Sequence, residues 1–279
     1  MDARFTTACE LMLAGDVLRF RELLEADPEL ATIRSETSHP TLMQCLALDG
    51  VALPAEALAG MAASLFEAGS VLDEALIASG SLGNLVLAEW LLDRGAHADG
   101  SAEVLRGWTA LEESLYWGES AFAARMVERG ASIGNLRTAA GLGRGDETQR
   151  FFDSSGALRM PQAGVVNWPF VEQPPEQQSS QTRDVLDNAL VYAALSGEIA
   201  VVDLLREHGA QLNVIPLGFH YRGSALHWAA MRGHGEMCMQ LIERGADRTL
   251  EDETQGVTPA EWARVAGRPD LARKLQPSD

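Results

Sequence analysis

The sequence predicts an all-α protein, a solenoid of about eight helix pairs with one irregular insertion. Three observations lead to this prediction. Most successive copies of a repeated pattern begin 33 to 36 residues apart, each copy holds short apolar segments with helical spacing, and glycine closes many of these segments. Because one such helix pair is too small to bury its apolar face alone, the pairs must stack on one another around a common core.

Two glycine spacings define the repeat. In its clearest copy, Leu226 lies seven residues before Gly233, and Gly245 lies twelve residues after Gly233. The same two spacings recur in three further triplets, which are Leu76, Gly83 and Gly95; Leu111, Gly118 and Gly130; and Leu190, Gly197 and Gly209. Glycine accepts the left-handed conformation that other residues resist, so it is typical of a helix end. Each triplet therefore predicts two helices, one ending at each glycine.

Weaker copies fill the rest of the chain. The glycines between the two helices of each pair fall at positions 15, 50, 83, 118, 143, 197, 233 and 267. The predicted repeats cover roughly residues 5–35, 39–73, 74–101, 107–135, 136–158, 187–214, 223–250 and 256–276. We therefore expect a single solenoid domain over residues 1–279.

The spacing breaks twice, first between Gly118 and Gly143, which are only 25 residues apart, and then by a larger amount. The glycines at 143 and 197 are 54 residues apart, about 20 more than one repeat needs, and residues 160–185 are rich in proline, glutamine and serine. This composition predicts an irregular insertion over 160–185. Trp168 and Phe170 make the insertion too apolar to lie free in water. Two interpretations remain open: a plug folded against the solenoid, or a lid or docking segment.

The repeat resembles the ankyrin repeat, whose unit of about 33 residues carries a Thr-Pro-Leu-His-x-Ala signature. The residues that match the signature are Leu226, His227, Ala229 and Ala230 in the seventh copy and Thr258 and Pro259 in the eighth. The resemblance implies stacked helix pairs with β-turn fingers and a binding role, without implying a partner. It also implies that His227 hydrogen-bonds the turn backbone between repeats.

Composition excludes several classes of function. The formal net charge is -18 and the pI is about 4.7, which argues against binding nucleic acid or an anionic membrane surface. No stretch of 18 apolar residues predicts a membrane span, and the N-terminal residues lack a signal-peptide core. Cys9, Cys45 and Cys238 are odd in number and far apart, so they predict neither a disulfide framework nor a metal knuckle. We expect a cytoplasmic protein.

No catalytic constellation is evident in the sequence. The six histidines show no metal-binding spacing, and no nucleophile elbow, phosphate-binding loop or dinucleotide-binding glycine pattern occurs. We interpret the acidic clusters at 112–113 and 251–253 as solvated surface. The expectation is a protein without enzymatic activity, cofactor or metal.

Aromatic residues predict where a partner binds. In ankyrin arrays the concave surface is formed by the finger tips and the ends of the first helices. The candidate contact residues are Trp108, Tyr116 and Trp117 in the fourth repeat, His220, Tyr221 and Arg222 in a long finger, and Met231 and Arg232 beside that finger. Buried tryptophan and tyrosine dominate interface energetics. The fourth-repeat aromatics have an alternative interpretation as local packing, while Trp90, Trp228 and Trp262 occupy core positions.

These patterns predict a non-catalytic module, a scaffold or adaptor, that grips a partner protein in its concave groove. The negative charge favours a basic partner and a salt-sensitive rate of association. We expect a monomer. The alternative is a small-molecule-binding or catalytic solenoid in which residues 160–185 close a pocket over the fourth-repeat aromatics, next to a perturbed carboxylate of Glu112 or Glu113.

Overall fold

A computed structural model describes residues 2–35, 40–101, 108–166 and 179–277. Within these ranges the chain forms sixteen α-helices, two short 3-10 turns and isolated β-bridges, without a β-strand. The prediction of an all-α protein is confirmed. None of the helices in the described ranges has the length and apolarity needed to cross a bilayer. The helices fall into two compact units, Met1–Ser132 and Ile133–Asp279.

The described residues of the first unit form four consecutive helix pairs. Its helices are α1 (Ala3–Leu13), α2 (Val17–Ala26), α3 (Leu42–Asp49), α4 (Ala55–Glu67), α5 (Asp73–Ser81), α6 (Leu85–Leu92), α7 (Ala110–Trp117) and α8 (Ser120–Glu128). The first helices of the pairs pack in series, α1 on α3, α3 on α5 and α5 on α7, and α2, α4 and α6 pack in the same order. Each pair thus buries its apolar face against the next pair, as stacked repeats require.

In the second unit, the part of the chain that the structure describes also forms four consecutive helix pairs. Its helices are α9 (Leu136–Gly141), α10 (Gly145–Gln149), α11 (Thr182–Ser196), α12 (Ile199–Glu207), α13 (Ala225–Arg232), α14 (Gly235–Glu243), α15 (Pro259–Val265) and α16 (Pro269–Leu275). The first helices again pack in series, α9 on α11, α11 on α13 and α13 on α15. Eight full repeats with β-turn fingers in one solenoid over 1–279 stay a prediction.

Capping boxes fix the beginning of several first helices. In this motif the N-cap side chain accepts the backbone N–H of the third helical residue, whose own side chain binds back to the N-cap. The pairs are Thr41 with Gln44, Thr109 with Glu112, Asn135 with Thr138, Ser224 with His227 and Thr258 with Glu261. The threonine and the histidine of the signature therefore take part in the same capping motif, which sets where these five first helices start.

The predicted glycine helix ends are present. Gly118 ends α7 with φ 74° and Gly130 follows α8 with φ 98°, both in the left-handed region where a side chain is strained. The remaining glycines of the four clearest copies, Gly83, Gly95, Gly197, Gly209, Gly233 and Gly245, also have positive φ. The two glycine spacings thus mark real chain reversals after both helices of a pair.

The insertion is shorter than predicted at its C-terminal end. Helix α11 begins at Thr182, so residues 182–185 are helical. Val185 and Leu186 are buried and Asp184 lies in the first helical turn, where a carboxylate is favoured by the helix dipole. The plug and lid interpretations depend on Trp168 and Phe170, which lie outside the described residues.

Candidate functional site

The fourth-repeat aromatics come together as predicted. The ring centroids of Trp108 and Tyr116 are 5.6 Å apart and those of Tyr116 and Trp117 are 5.3 Å apart, both in edge-to-face geometry. However, Trp108 is 1% exposed and Tyr116 is 0% exposed. Their assignment as partner contacts is wrong because both rings pack inside the first unit. Trp117 is half-buried, so part of its ring faces solvent.

A buried carboxylate lies beside these rings. Glu113 accepts hydrogen bonds from Ser81 Oγ and from Trp117 Nε1, each at 2.7 Å. Burial raises the pKa of Glu113, the two hydrogen bonds partly oppose this rise, and the charge of Glu112 adds to it. Glu112 is also buried and closes the capping box at Thr109. The interpretation of residues 112–113 as solvated acidic surface is therefore wrong.

The raised pKa of Glu113 gives a testable dependence of stability on pH. Folding raises the pKa above its ordinary value of 4.5, so the folded protein binds more protons than the unfolded chain as pH rises through that value, and stability falls. Glu113→Gln keeps an oxygen acceptor for Ser81 and Trp117 and removes the titration. We expect the variant to become more stable than wild type as pH increases from about 4 to about 8. Urea melts at several pH values measure this difference, and a constant difference would contradict the buried carboxylate.

The predicted long finger is anchored by a ring that the sequence did not single out. Phe219 is buried, with its centroid 5.4 Å from Tyr192 and 5.1 Å from Trp228. His220 follows it and is half-buried, and burial lowers the pKa of His220 to about 4. Tyr221 is 43% exposed. Of the three predicted finger residues, Tyr221 therefore presents the most accessible apolar surface.

Arg222 holds the finger in place. Its guanidinium donates to the carbonyl oxygen of Pro216 at 2.6 Å and forms an ion pair with Glu253 at 2.6 Å. Arg222 and Arg232 are both half-buried. The contacts of Arg222 connect the finger to the loop that precedes α15, so this side chain positions Tyr221.

An open apolar pocket of about 260 Å³ lies next to the finger. Its lining consists of Tyr221, Met231, Asp252, Thr254, Gln255, Val257, Trp262, Val265 and Ala266, and we call it the Tyr221 pocket. Val265, at the end of α15, is 89% exposed. The ring centroids of Tyr221 and Trp262 are 6.1 Å apart in edge-to-face geometry. Two aromatic rings and an exposed valine thus form one accessible apolar surface, which includes the predicted contacts Tyr221 and Met231.

A fixed carboxylate orients the Trp262 ring. Trp262 Nε1 donates to Asp252 Oδ2 at 2.8 Å, and the backbone N–H groups of Thr254 and Gln255 donate to Asp252 Oδ1 at 2.7 and 2.6 Å. Burial alone would raise the pKa of Asp252, but these hydrogen bonds hold it below its ordinary value. The assignment of Trp262 to the core is wrong, since its ring is half-buried and lines the pocket. Trp262 and Val265 are three residues apart, which puts both side chains on one face of α15. This spacing is the sequence signal that Trp262 lines the pocket.

His227 connects the two helices that flank the pocket. Its Nδ1 accepts the Ser224 backbone N–H at 3.2 Å, and its Nε2 lies 3.1 Å from the carbonyl oxygen of Val257. Because Nδ1 is an acceptor, Nε2 carries the proton and donates to Val257. Burial lowers the pKa of His227, which favours this neutral form. The structure confirms that His227 bonds the turn backbone of the next helix pair.

Other parts of the described surface are less suited to recognition. No group of three histidine, cysteine, aspartate or glutamate side chains in the described ranges is arranged to hold a metal ion. A depression of about 400 Å³ is lined by turn and helix-start residues that include Gly197, Gly235 and Glu236, without a tryptophan, tyrosine or phenylalanine. The Tyr221 pocket is therefore the candidate site.

Residues 192–279 match the family model described as ankyrin repeats, in three copies. This part of the chain, which contains the whole Tyr221 pocket, is similar to ankyrin repeats, and ankyrin repeat arrays present extended binding surfaces. A stretch of 87 residues is 34% identical to diacylglycerol kinase iota of Homo sapiens, of Rattus norvegicus and of Mus musculus. Each match covers 31% of this chain and spans only 8% of the relative's length.

Proposed function

We propose that this protein is a non-catalytic binding module that recognises a partner protein through the Tyr221 pocket. The observation that carries the proposal is the exposed apolar surface formed by Tyr221, Trp262 and Val265 within the ankyrin repeats. Tryptophan and tyrosine in such pockets are the side chains that most often dominate binding energy. The half-buried Met231 adds a flexible side chain that adapts to irregular partner surfaces.

The charges near the pocket are mixed. Arg264 and Arg268 are exposed on or beside α15, while Glu251 and Glu253 are exposed on the preceding loop. We therefore propose that an apolar side chain of the partner supplies most of the affinity. The overall charge of -18 supports a basic partner through faster association at low salt. A cytoplasmic, monomeric protein fits this proposal.

The alternative of a small-molecule-binding or catalytic solenoid predicts a perturbed carboxylate, and burial does raise the pKa of Glu113. This alternative also needs Trp168 and Phe170 over the fourth-repeat aromatics, and these residues lie outside the described ranges. The Tyr221 pocket, at about 260 Å³, is also below the roughly 300–1,000 Å³ typical of small-molecule sites. Diacylglycerol kinase iota is matched over only 8% of its length. This similarity gives no ground for proposing kinase activity here.

The test compares two exposed valines. Val265 is 89% exposed beside the pocket, and Val71 is 63% exposed in the first unit and serves as the matched control. Wild type, Val265→Asp and Val71→Asp are used to capture proteins from lysate, and a captured protein is then titrated by calorimetry. We expect Val265→Asp to weaken binding at least about 30-fold, because a carboxylate is placed where an apolar contact forms. Val71→Asp should bind like wild type.

Tyr221→Ala provides a second, independent change in the same pocket, and Trp117→Ala examines the half-buried ring of the fourth repeat. Loss of binding with Trp117→Ala and not with Tyr221→Ala would contradict the proposed pocket and return the site to the fourth repeat. Equal binding by all variants would contradict both surfaces. Circular dichroism melts confirm that each variant is folded before its affinity is interpreted.

A further inference from the structure

Two cysteines that are 36 residues apart in the sequence meet in the first unit. Cys9 lies on α1 and Cys45 on α3, and these two helices pack against each other. The two thiols lie close enough for each to shift the pKa of the other. The sequence explains why the two cysteines meet. Cys9 lies six residues before Gly15 and Cys45 lies five residues before Gly50, so the two residues occupy nearly equivalent positions in successive stacked helices. This pair is therefore far apart in the sequence and close together in the fold.

The pKa values of the two thiols are shifted in opposite directions. The interaction with Cys45 lowers the pKa of Cys9, while burial and the nearby Asp49 carboxylate oppose this effect. The same interaction, together with burial, raises the pKa of Cys45. Because a thiolate is the reactive form of cysteine, the lowered pKa favours Cys9 as the nucleophile of the pair. Both residues are half-buried, so a small oxidant can approach them.

The third cysteine has a different environment. Cys238 is fully buried in the second unit, and burial raises its pKa to about 12. A buried thiol of this kind reacts slowly with oxidants. Cys238 is therefore a natural control within the same chain.

We propose that Cys9 and Cys45 form an oxidation site that hydrogen peroxide converts into an intramolecular disulfide. In the first step the Cys9 sulfur attacks one peroxide oxygen, the O–O bond breaks, a sulfenic acid forms, and the other oxygen leaves as water after protonation. In the second step the Cys45 sulfur attacks the Cys9 sulfur, the S–O bond breaks and a second water leaves. Two thiols lose two electrons and two protons, and one peroxide is reduced to two waters.

The bond would join the first helices of two successive pairs. It closes a loop of about 36 residues and so restricts the unfolded chain. The oxidised first unit should consequently resist unfolding better than the reduced one. This property concerns the first unit, whereas the proposed partner site lies in the second, so the two proposals can fail separately.

The experiment counts thiols in the full chain after treatment with a small excess of hydrogen peroxide. The protein is then unfolded, its remaining thiols are labelled with a maleimide, and intact masses and peptide maps are recorded. We expect wild type to keep one of its three thiols and to yield a disulfide-linked peptide containing Cys9 and Cys45. Cys238→Ser should form the same link. Cys9→Ser and Cys45→Ser should form no link, and Cys45→Ser should instead gain oxygen at Cys9.

Three results would overturn the proposal. Wild type could keep all three thiols, the linked peptide could contain Cys238, or the link could form as fast in urea as in the folded protein. The last comparison separates a site made by the fold from chance encounter in a flexible chain. If one serine variant fails to fold, the peptide map of wild type and the urea comparison still decide the outcome.

Discussion

Replacing Trp228 by alanine should lower the free energy of unfolding of the second unit by about 3–5 kcal/mol. Trp228 is 0% exposed, and its ring centroid lies 5.1 Å from Phe219 and 5.6 Å from Trp262. Truncation removes the contacts of a large ring and leaves a cavity that the surrounding helices fill only in part. Since Tyr221 also lies 6.3 Å from Trp228, the same change removes the support of the Tyr221 pocket.

Urea unfolding followed by circular dichroism measures the total loss, and hydrogen exchange shows where it falls. In stacked helix pairs the effect should concentrate in neighbouring pairs, so amides of α11, α13 and α15 should lose protection first. Trp90→Ala is the matched control. Trp90 is half-buried, with one edge contact to Phe66 and the Arg94 guanidinium over its ring. A loss at Trp228 no larger than that at Trp90 would contradict its central packing role.

Local rules explain why helix ends were predictable from the sequence. The conformation of Gly118 or Gly130 depends mainly on the short segment around it, and glycine is the residue that tolerates positive φ. Likewise, Thr109 and Thr258 begin helices because their side chains bind the backbone three residues later. Spacings of seven and twelve residues therefore indicate helix lengths without knowledge of distant contacts.

The surface could not be predicted in the same way. Trp108 and Trp117 both belong to an aromatic cluster, yet Trp108 is buried and Trp117 is half-buried, and the repeat pattern does not distinguish them. Glu113 accepts a hydrogen bond from Ser81, 32 residues earlier, so its burial depends on the packing of α5 against α7. Trp262 shows the reverse case, since it occupies a core position of the repeat and still lines the pocket.

The same limit applies to pairs of residues that act together. His227 and Val257 meet because α13 and α15 pack side by side, and the resemblance to the ankyrin signature implies that bond at His227. Cys9 and Cys45 meet for the same geometric reason, but no signature marks them. Residues that lie at similar distances before the inter-helix glycines of successive repeats are therefore expected to meet in the fold. When only a repeat sequence is known, such pairs are the ones to examine for contacts.

His227→Ala should lower the free energy of unfolding of the second unit by about 2–4 kcal/mol. The buried imidazole accepts from Ser224 and donates to Val257, so its loss opens a cavity and leaves a backbone N–H and a carbonyl oxygen with one partner fewer. His234→Ala is the comparison, because His234 is half-buried and should cost less. A loss for His227→Ala no greater than that for His234→Ala would contradict the bridging role.

The pH dependence distinguishes the hydrogen bonds of His227 from simple filling of space. Folding lowers the pKa of His227 below its ordinary value of 6.5, so its contribution to stability is complete above that value and is lost as pH falls through the lowered pKa. Protonation also converts Nδ1 from an acceptor into a donor facing the Ser224 N–H. The stability difference between wild type and His227→Ala should therefore shrink on acidification, as urea melts from about pH 7.5 to about pH 4.5 can show. Because Val257 also lines the Tyr221 pocket, the variant should weaken partner binding at neutral pH even where it remains folded.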